Sequence, residues 1–115
     1  MTPLHAPKVV DKPWGREVWY AHTPHYAGKL LEVHAGQRLS LQKHEIKAET
    51  LYLLSGRVTL TFGAATYDWR PGEVVDIPTG TVHRFEAIED SVLLEVSTPH
   101  LDDVIRLSDD YGRTT

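Results

Sequence analysis

Cysteine is absent from the 115 residues, which excludes disulfide staples, thiolate metal sites and cysteine nucleophiles together. Any metal must therefore be held by nitrogen and oxygen donors. Basic runs are missing too. The twelve Lys and Arg are scattered and the formal net charge is −4 with His neutral, so nucleic acid is not an expected partner. No apolar run approaches the roughly 20 residues that a membrane span needs, and residues 1–8 lack the apolar centre of a secretion signal. The expectation is a soluble cytoplasmic protein without a membrane partner. What is present suffices for one folded unit: 41% hydrophobic and 24% charged residues with three Trp can bury a real core. A single domain over 1–115 is expected.

Segments rich in β-branched and aromatic residues recur every eight to twelve positions between turn residues, the rhythm of an all-β barrel or sandwich. The punctuation is Ala35-Gly36, Ser55-Gly56, Phe62-Gly63, Pro71-Gly72 and Pro78-Thr79-Gly80. This spacing predicts strands near 17–20, 29–34, 38–44, 49–54, 57–62, 65–69, 74–77, 81–86 and 92–97. Residues 1–12, carrying Pro3 and Pro7, read as an arm laid across a surface or a partner subunit. In 98–115 the pattern changes: Leu101, Val104 and Ile105 fall at helical spacing behind acidic Asp102 and Asp103, which predicts a short C-terminal helix or tail.

Residues two apart in a strand share a face, so Ser40, Gln42 and His44 point one way while Leu39, Leu41 and Lys43 point the other. An amide and an imidazole turned into a small barrel are costly unless something compensates them, and a cation would. Glu49 opens the next strand five residues past His44, and His83 follows the rigid Pro78-Thr79-Gly80 turn. Gln42, His44, Glu49 and His83 then supply two imidazoles, one carboxylate and one amide oxygen to one divalent metal ion. Zn or Mn comes first, with Fe, Co or Ni compatible, and Ca or Mg less suited. His5, His22, His25, His34 and His100 read as surface residues, and Glu45 and Lys47 as a solvated turn.

These residues also carry a resemblance. Gly36, Gln42, His44, Glu49 and Gly56 repeat the spacing of the first cupin motif with Gln in place of its first His, and Gly72, Pro78, Gly80 and His83 repeat the second, with Ala87 where Asn is usual. The chain resembles the cupin superfamily, which implies a double-stranded β-helix (jelly-roll) barrel. The Gln substitution, together with Lys12-Pro13-Trp14-Gly15 and Asp110-Tyr111-Gly112-Arg113, looks like the cupin domain of type II mannose-6-phosphate isomerases. That likeness implies Gln42, His44, Glu49 and His83 as metal ligands. It departs from the family between His44 and Leu51, where Glu45-Ile46-Lys47-Ala48-Glu49-Thr50 replaces the usual run.

The resemblance implies an aldose–ketose isomerase acting on a sugar or sugar phosphate, in which a metal stabilises an enediolate and a side chain moves a proton between adjacent carbons. Lys29, on the strand face of Leu31 and Val33, is the first acid–base candidate; a snorkelling surface lysine fits the same position. Arg84 and Arg113 are candidates for gripping an anionic group, although Arg84 has the opposite parity to His83 and structural ion pairing fits both. Trp14 is a candidate sugar-stacking wall or a packing residue, and Ser40 is the third polar side chain on the ligand face. A cupin dioxygenase and a non-catalytic sugar-binding or sensing module are the competing readings. A homodimer is expected, through exposed edge strands or exchanged arms.

Overall fold

The computed structural model describes residues 2–114. Eleven strands form two antiparallel sheets, and no helix occurs among the described residues. In chain order they are β1 Lys8–Lys12, β2 Gly15–His22, β3 Ala27–Val33, β4 Leu41–Lys43, β5 Glu49–Ser55, β6 Val58–Phe62, β7 Ala65–Trp69, β8 Val74–Ile77, β9 His83–Ala87, β10 Ser91–Ser97 and β11 Ile105–Ser108. One sheet runs β1-β2-β3-β10-β5-β8 and the other β11-β4-β9-β6-β7. The all-β jelly-roll reading of the sequence therefore holds.

Strand parity builds the interior. Glu17, Leu31, Leu93 and Leu53 stand side by side across β2, β3, β10 and β5. One step along lies the row Trp19, Lys29, Glu95, Leu51 and Val75. From the second sheet, Phe62 faces His83, Leu60 faces Phe85 and Val58 faces Ala87. Apart from Trp19, the apolar members join Trp14, Val33, Leu39, Trp69 and Ile77 in one cluster, with Phe62 and Val75 partly buried against it, and its removal from water drives folding. The inner face is thus split between this core and a region carrying Glu17, Lys29, Glu95 and His83, all buried.

The C-terminal segment corrects an expectation. Instead of a helix it forms β11, pairing Ile105 with Lys43 and Arg106 with Gln42. The reason is competition for Asp103. Its carboxylate, placed by spacing in a first helical turn, accepts the backbone N–H groups of Glu45 at 3.1 Å, Ile46 at 2.7 Å and Lys47 at 2.8 Å. Those bonds close the β4–β5 loop, and β11 then covers an otherwise open strand edge. At the other end, Lys8–Lys12 of the expected arm is the edge strand β1, zipped to β2 from Lys8↔Trp19 to Lys12↔Gly15.

Gly56 turns the chain from β5 in one sheet to β6 in the other at φ +93°, and a Cβ there would lie 2.4 Å from the Asp90 carbonyl oxygen and 2.6 Å from Ser91 Cα. Only glycine fits this close approach. Gly56→Ala is expected to lower stability by about 2 kcal/mol or more, read as a shift in the chemical denaturation midpoint.

Candidate metal centre

Three elements deliver the site. β4 ends at Lys43, so His44 begins the turn that follows it; Glu49 opens β5; and His83 opens β9, with its Cα paired to that of Gln42. The Gly80 N–H donates to the His44 carbonyl at 2.7 Å, and the Thr79 hydroxyl donates to the Ile46 carbonyl at 3.1 Å. These bonds tie the two motif turns together.

His44, Glu49 and His83 are all buried, and their donor atoms lie within 4.8 Å of one another. Glu49 Oε1 is 3.3 Å from His83 Nε2 and 3.7 Å from His44 Nε2. Each imidazole is oriented from behind: His83 Nδ1 donates to the Thr81 carbonyl at 2.9 Å and His44 Nδ1 to the Asp103 carbonyl at 2.5 Å. With Nδ1 carrying the hydrogen, each Nε2 presents a lone pair toward Glu49 Oε1. Both Nε2 atoms are shielded from solvent and have no hydrogen-bond partner. Orphaned buried polar atoms are rare in folded proteins, and two lone pairs converging with a carboxylate oxygen fit a divalent cation. The cluster could hold one metal ion.

Gln42 reaches the same cavity. Its Oε1 accepts the Ser40 hydroxyl at 2.6 Å, which fixes the amide and leaves a second lone pair on that oxygen. Ser40, a substrate-binding candidate by sequence, is itself fully buried and bonds Gln42.

The electrostatics behind the cluster rest on residues that the sequence reading passed over. Lys47, read as part of a solvated turn, is 5% exposed. Its ammonium lies 2.7 Å from Glu49 Oε2 and 3.1 Å from Glu95 Oε2. Burial opposes the charge on Glu49, and the Lys47 ammonium beside it favours that charge. Glu95 goes the other way, pushed up by burial first and then by the charge of Glu49. Asp103 is held down to about 2, chiefly by the Lys47 and Ile46 N–H groups. A Glu at 95 in phase with Leu93 was the available signal for a buried carboxylate; nothing local marked Lys47.

The cluster borders a cavity of about 440 Å³ whose wall includes Trp14, Glu17, Lys29, Gln42, Glu95 and Arg113. Lys29 is buried there, its Nζ 3.1 Å from Glu17 Oε1 and 5.0 Å from the Trp19 ring centroid. Trp14 is 2% exposed and belongs to the core while also walling the cavity. Arg113 is gripped by Asp109 through two bonds of 2.9 Å. Arg84 is not brought to this wall: its Nε donates to the Leu39 carbonyl at 3.0 Å and an Nη to the Ser108 carbonyl at 3.1 Å. Its guanidinium braces β9 against the segment before β4 and against β11, as the parity opposite to His83 dictates.

Residues 2–109 match the family described as Mannose-6-phosphate isomerase C-terminal. The chain belongs to this family. Among curated relatives, a mannose-1-phosphate guanylyltransferase from Klebsiella pneumoniae is 32% identical over 109 residues, covering 90% of this chain and 23% of the relative. The chain thus spans about a quarter of that relative's length. Among solved structures, an RmlC-like cupin from Shewanella frigidimarina superposes with a TM-score of 0.75 at 12% identity, covering 81% of this chain and 84% of that one. A putative sugar phosphate isomerase from Acidithiobacillus ferrooxidans gives a TM-score of 0.65 at 24% identity, covering 75% and 61%. At these identities the solved structures establish the cupin fold. No helix among the described residues is long and apolar enough to cross a membrane.

Proposed function

We propose that this cupin is a metal-dependent isomerase of a sugar or sugar phosphate, holding one divalent cation with His44, Glu49, His83 and the amide oxygen of Gln42. One observation carries the reading: two buried, partnerless Nε2 atoms converge on a buried carboxylate at the wall of a ligand-sized cavity. The family match and the likeness to a putative sugar phosphate isomerase support the choice of reaction. When bound, a divalent cation polarises a carbonyl or hydroxyl oxygen and stabilises negative charge that develops on it.

The chain's own residues supply the rest. An aldose–ketose interconversion needs a group that takes a proton from one carbon and returns it to its neighbour. Lys29 is proposed for that role. Glu17 and Trp19 fix its ammonium in the cavity, and Glu95 is its register neighbour on β10. Trp14 closes one wall and keeps water from the reacting carbons. Zn or Mn is the proposed ion, since mixed imidazole and oxygen donors suit both. Two copies are proposed to pair through the outward face of the six-stranded sheet. There Val9, Val18, Leu30, Leu94, Tyr52 and Val74 form one cross-strand row, of a kind that monomers seldom leave to water.

The test is an interconversion assay on mannose 6-phosphate, fructose 6-phosphate and their unphosphorylated sugars with metal content verified. Turnover is expected, lost on chelation and restored by metal, and reduced about 100-fold or more in Lys29→Met. A metal-loaded protein that turns over none of the panel, and instead consumes oxygen or binds sugar without changing it, contradicts the proposal.

A further inference from the structure

We propose that the metal cavity is the inner half of a longer site, whose outer half, a groove beyond Trp19, holds the second ring of an oligosaccharide that enters by its reducing end. The inference rests on reading the cavity as the seat of a sugar. The groove, of about 620 Å³, lies between the residues leading into β1, the end of β2 and the segment after β10. It shares Lys8, Trp19, Leu101 and Asp102 with the metal cavity. The two spaces meet along this common wall, so a ligand longer than one ring can lie across it.

A β-bulge builds the junction. β2 stays in register with β3 as far as Trp19↔Lys29 and resumes at Ala21↔Gly28, which leaves Tyr20 as an extra residue. In a regular strand Trp19 and His22, three apart, would face opposite ways. Here they oppose Lys29 and Ala27, which share a face, and their rings meet edge to face at 5.5 Å. The bulge thus carries the inner face of the sheet past Trp19 and into the groove.

The polar groups of the groove select its ligand. Lys8 and Asp102 bring one charge of each sign, and among the described residues no other Lys, Arg, Asp or Glu lines it. His22 Nε2 donates to the Pro99 carbonyl at 3.4 Å and His5 Nδ1 to the Ala6 carbonyl at 3.2 Å. A carbonyl only accepts, so these nitrogens carry the hydrogens and the opposite nitrogens, His22 Nδ1 and His5 Nε2, are acceptors. With the Asp102 carboxylate they make three acceptors beside one ammonium. Hydroxyl groups suit that set, whereas a carboxylate or phosphate would meet mostly acceptors. A planar base has no open ring to stack on, since the Lys8 and Lys29 ammoniums lie over Trp19 at 4.8 and 5.0 Å from its centroid. A neutral, hydroxyl-rich ring is what remains. Aldose–ketose interconversion engages the first two carbons of a sugar, so the second ring must be joined at a later carbon and point away from the cluster.

Chemical-shift titration of the isotopically labelled full chain, with and without Zn, tests this by comparing mannobiose and cellobiose with mannose and glucose. A disaccharide is expected to bind about tenfold more tightly than its monosaccharide, and to move the amide signals of His22 and Leu101 as well as those of the cavity wall. His22→Ala should cut that gain about threefold or more. Ala6→Phe, which fills the groove from an exposed position, should abolish it, while Arg70→Met, on an exposed side chain elsewhere, should leave it unchanged. Failure of both disaccharides to bind, equal affinity for one ring and two, or a gain untouched by His22→Ala and Ala6→Phe would each overturn the groove. No turnover is measured, so a preference for two rings stands even where the isomerase reading fails. Conversely, isomerisation of monosaccharides without that preference would remove the groove and keep the isomerase.

Discussion

His83→Ala is expected to abolish stoichiometric binding of a divalent cation. The ring supplies one of two lone pairs aimed at Glu49 Oε1, from 3.3 Å, and alanine leaves the remaining imidazole and carboxylate without a geometry that closes around an ion. Spread over four ligands, the roughly 10–16 kcal/mol that small structural zinc sites gain corresponds to about 3 kcal/mol per ligand. That is roughly a hundredfold in affinity or more. A linked effect follows on stability. Because an ion bound only to the folded state stabilises it by mass action, chelation should lower the thermal midpoint of the unsubstituted protein and leave that of His83→Ala in place. Calorimetry with Zn and Mn, alongside melts with and without chelator, reads both. Equal midpoint shifts in the two proteins would place the stabilising ion elsewhere.

Lys47→Met is expected to be among the most damaging single changes outside the apolar core. The ammonium is the shared counter-ion of Glu49 and Glu95, at 2.7 and 3.1 Å, with all three side chains nearly free of solvent. Removing one partner from a buried ion pair typically costs about 3–5 kcal/mol, because it strands the opposite charge rather than because the pair itself is worth that much. Here two carboxylates are stranded. The sign of the pH effect follows. Glu95 is already raised by burial and by Glu49, and without the opposing pull of Lys47 its folded-state pKa lies further above the unfolded one, so the deficit is smallest at acidic pH and grows as pH rises past the unfolded carboxylate range. Two rescues distinguish this from simple packing damage. Glu95→Gln in the Lys47→Met background should recover part of the loss, and saturating metal should recover part by compensating Glu49. Chemical denaturation of the single and double variants closes the cycle; additive effects would mean that Lys47 acts through packing alone.

The same physics decides what the sequence made legible. Parity in β3 and β5 was readable because Leu31, Val33, Leu51 and Leu53 alternate cleanly and point to one interior. The positions of Gln42, His44, Glu49 and His83 along the chain were readable because turns of fixed length separate them. β1 and β11 were not, since each is held by a neighbour's open edge rather than by alternation of its own. The C-terminal helix failed for the same reason: Asp103 has stronger partners in the amides of Glu45, Ile46 and Lys47 than in a helix of its own. Lys47 was invisible for a further reason. Its burial depends on Glu95, nearly fifty residues away in sequence, and no local pattern encodes a partner at that separation. Arg84 shows parity being right where chemistry misled: a guanidinium beside a motif histidine invites a substrate role, yet the alternation sends it to backbone carbonyls on the far side.

Anomalous diffraction from crystals of the protein loaded with Zn or Mn would test the centre most directly. The account predicts one strong peak per chain, at about 2.0–2.2 Å from His44 Nε2, His83 Nε2 and Glu49 Oε1, with the Gln42 amide oxygen turned toward it. A peak outside this cluster, or none at saturating metal, would contradict the account.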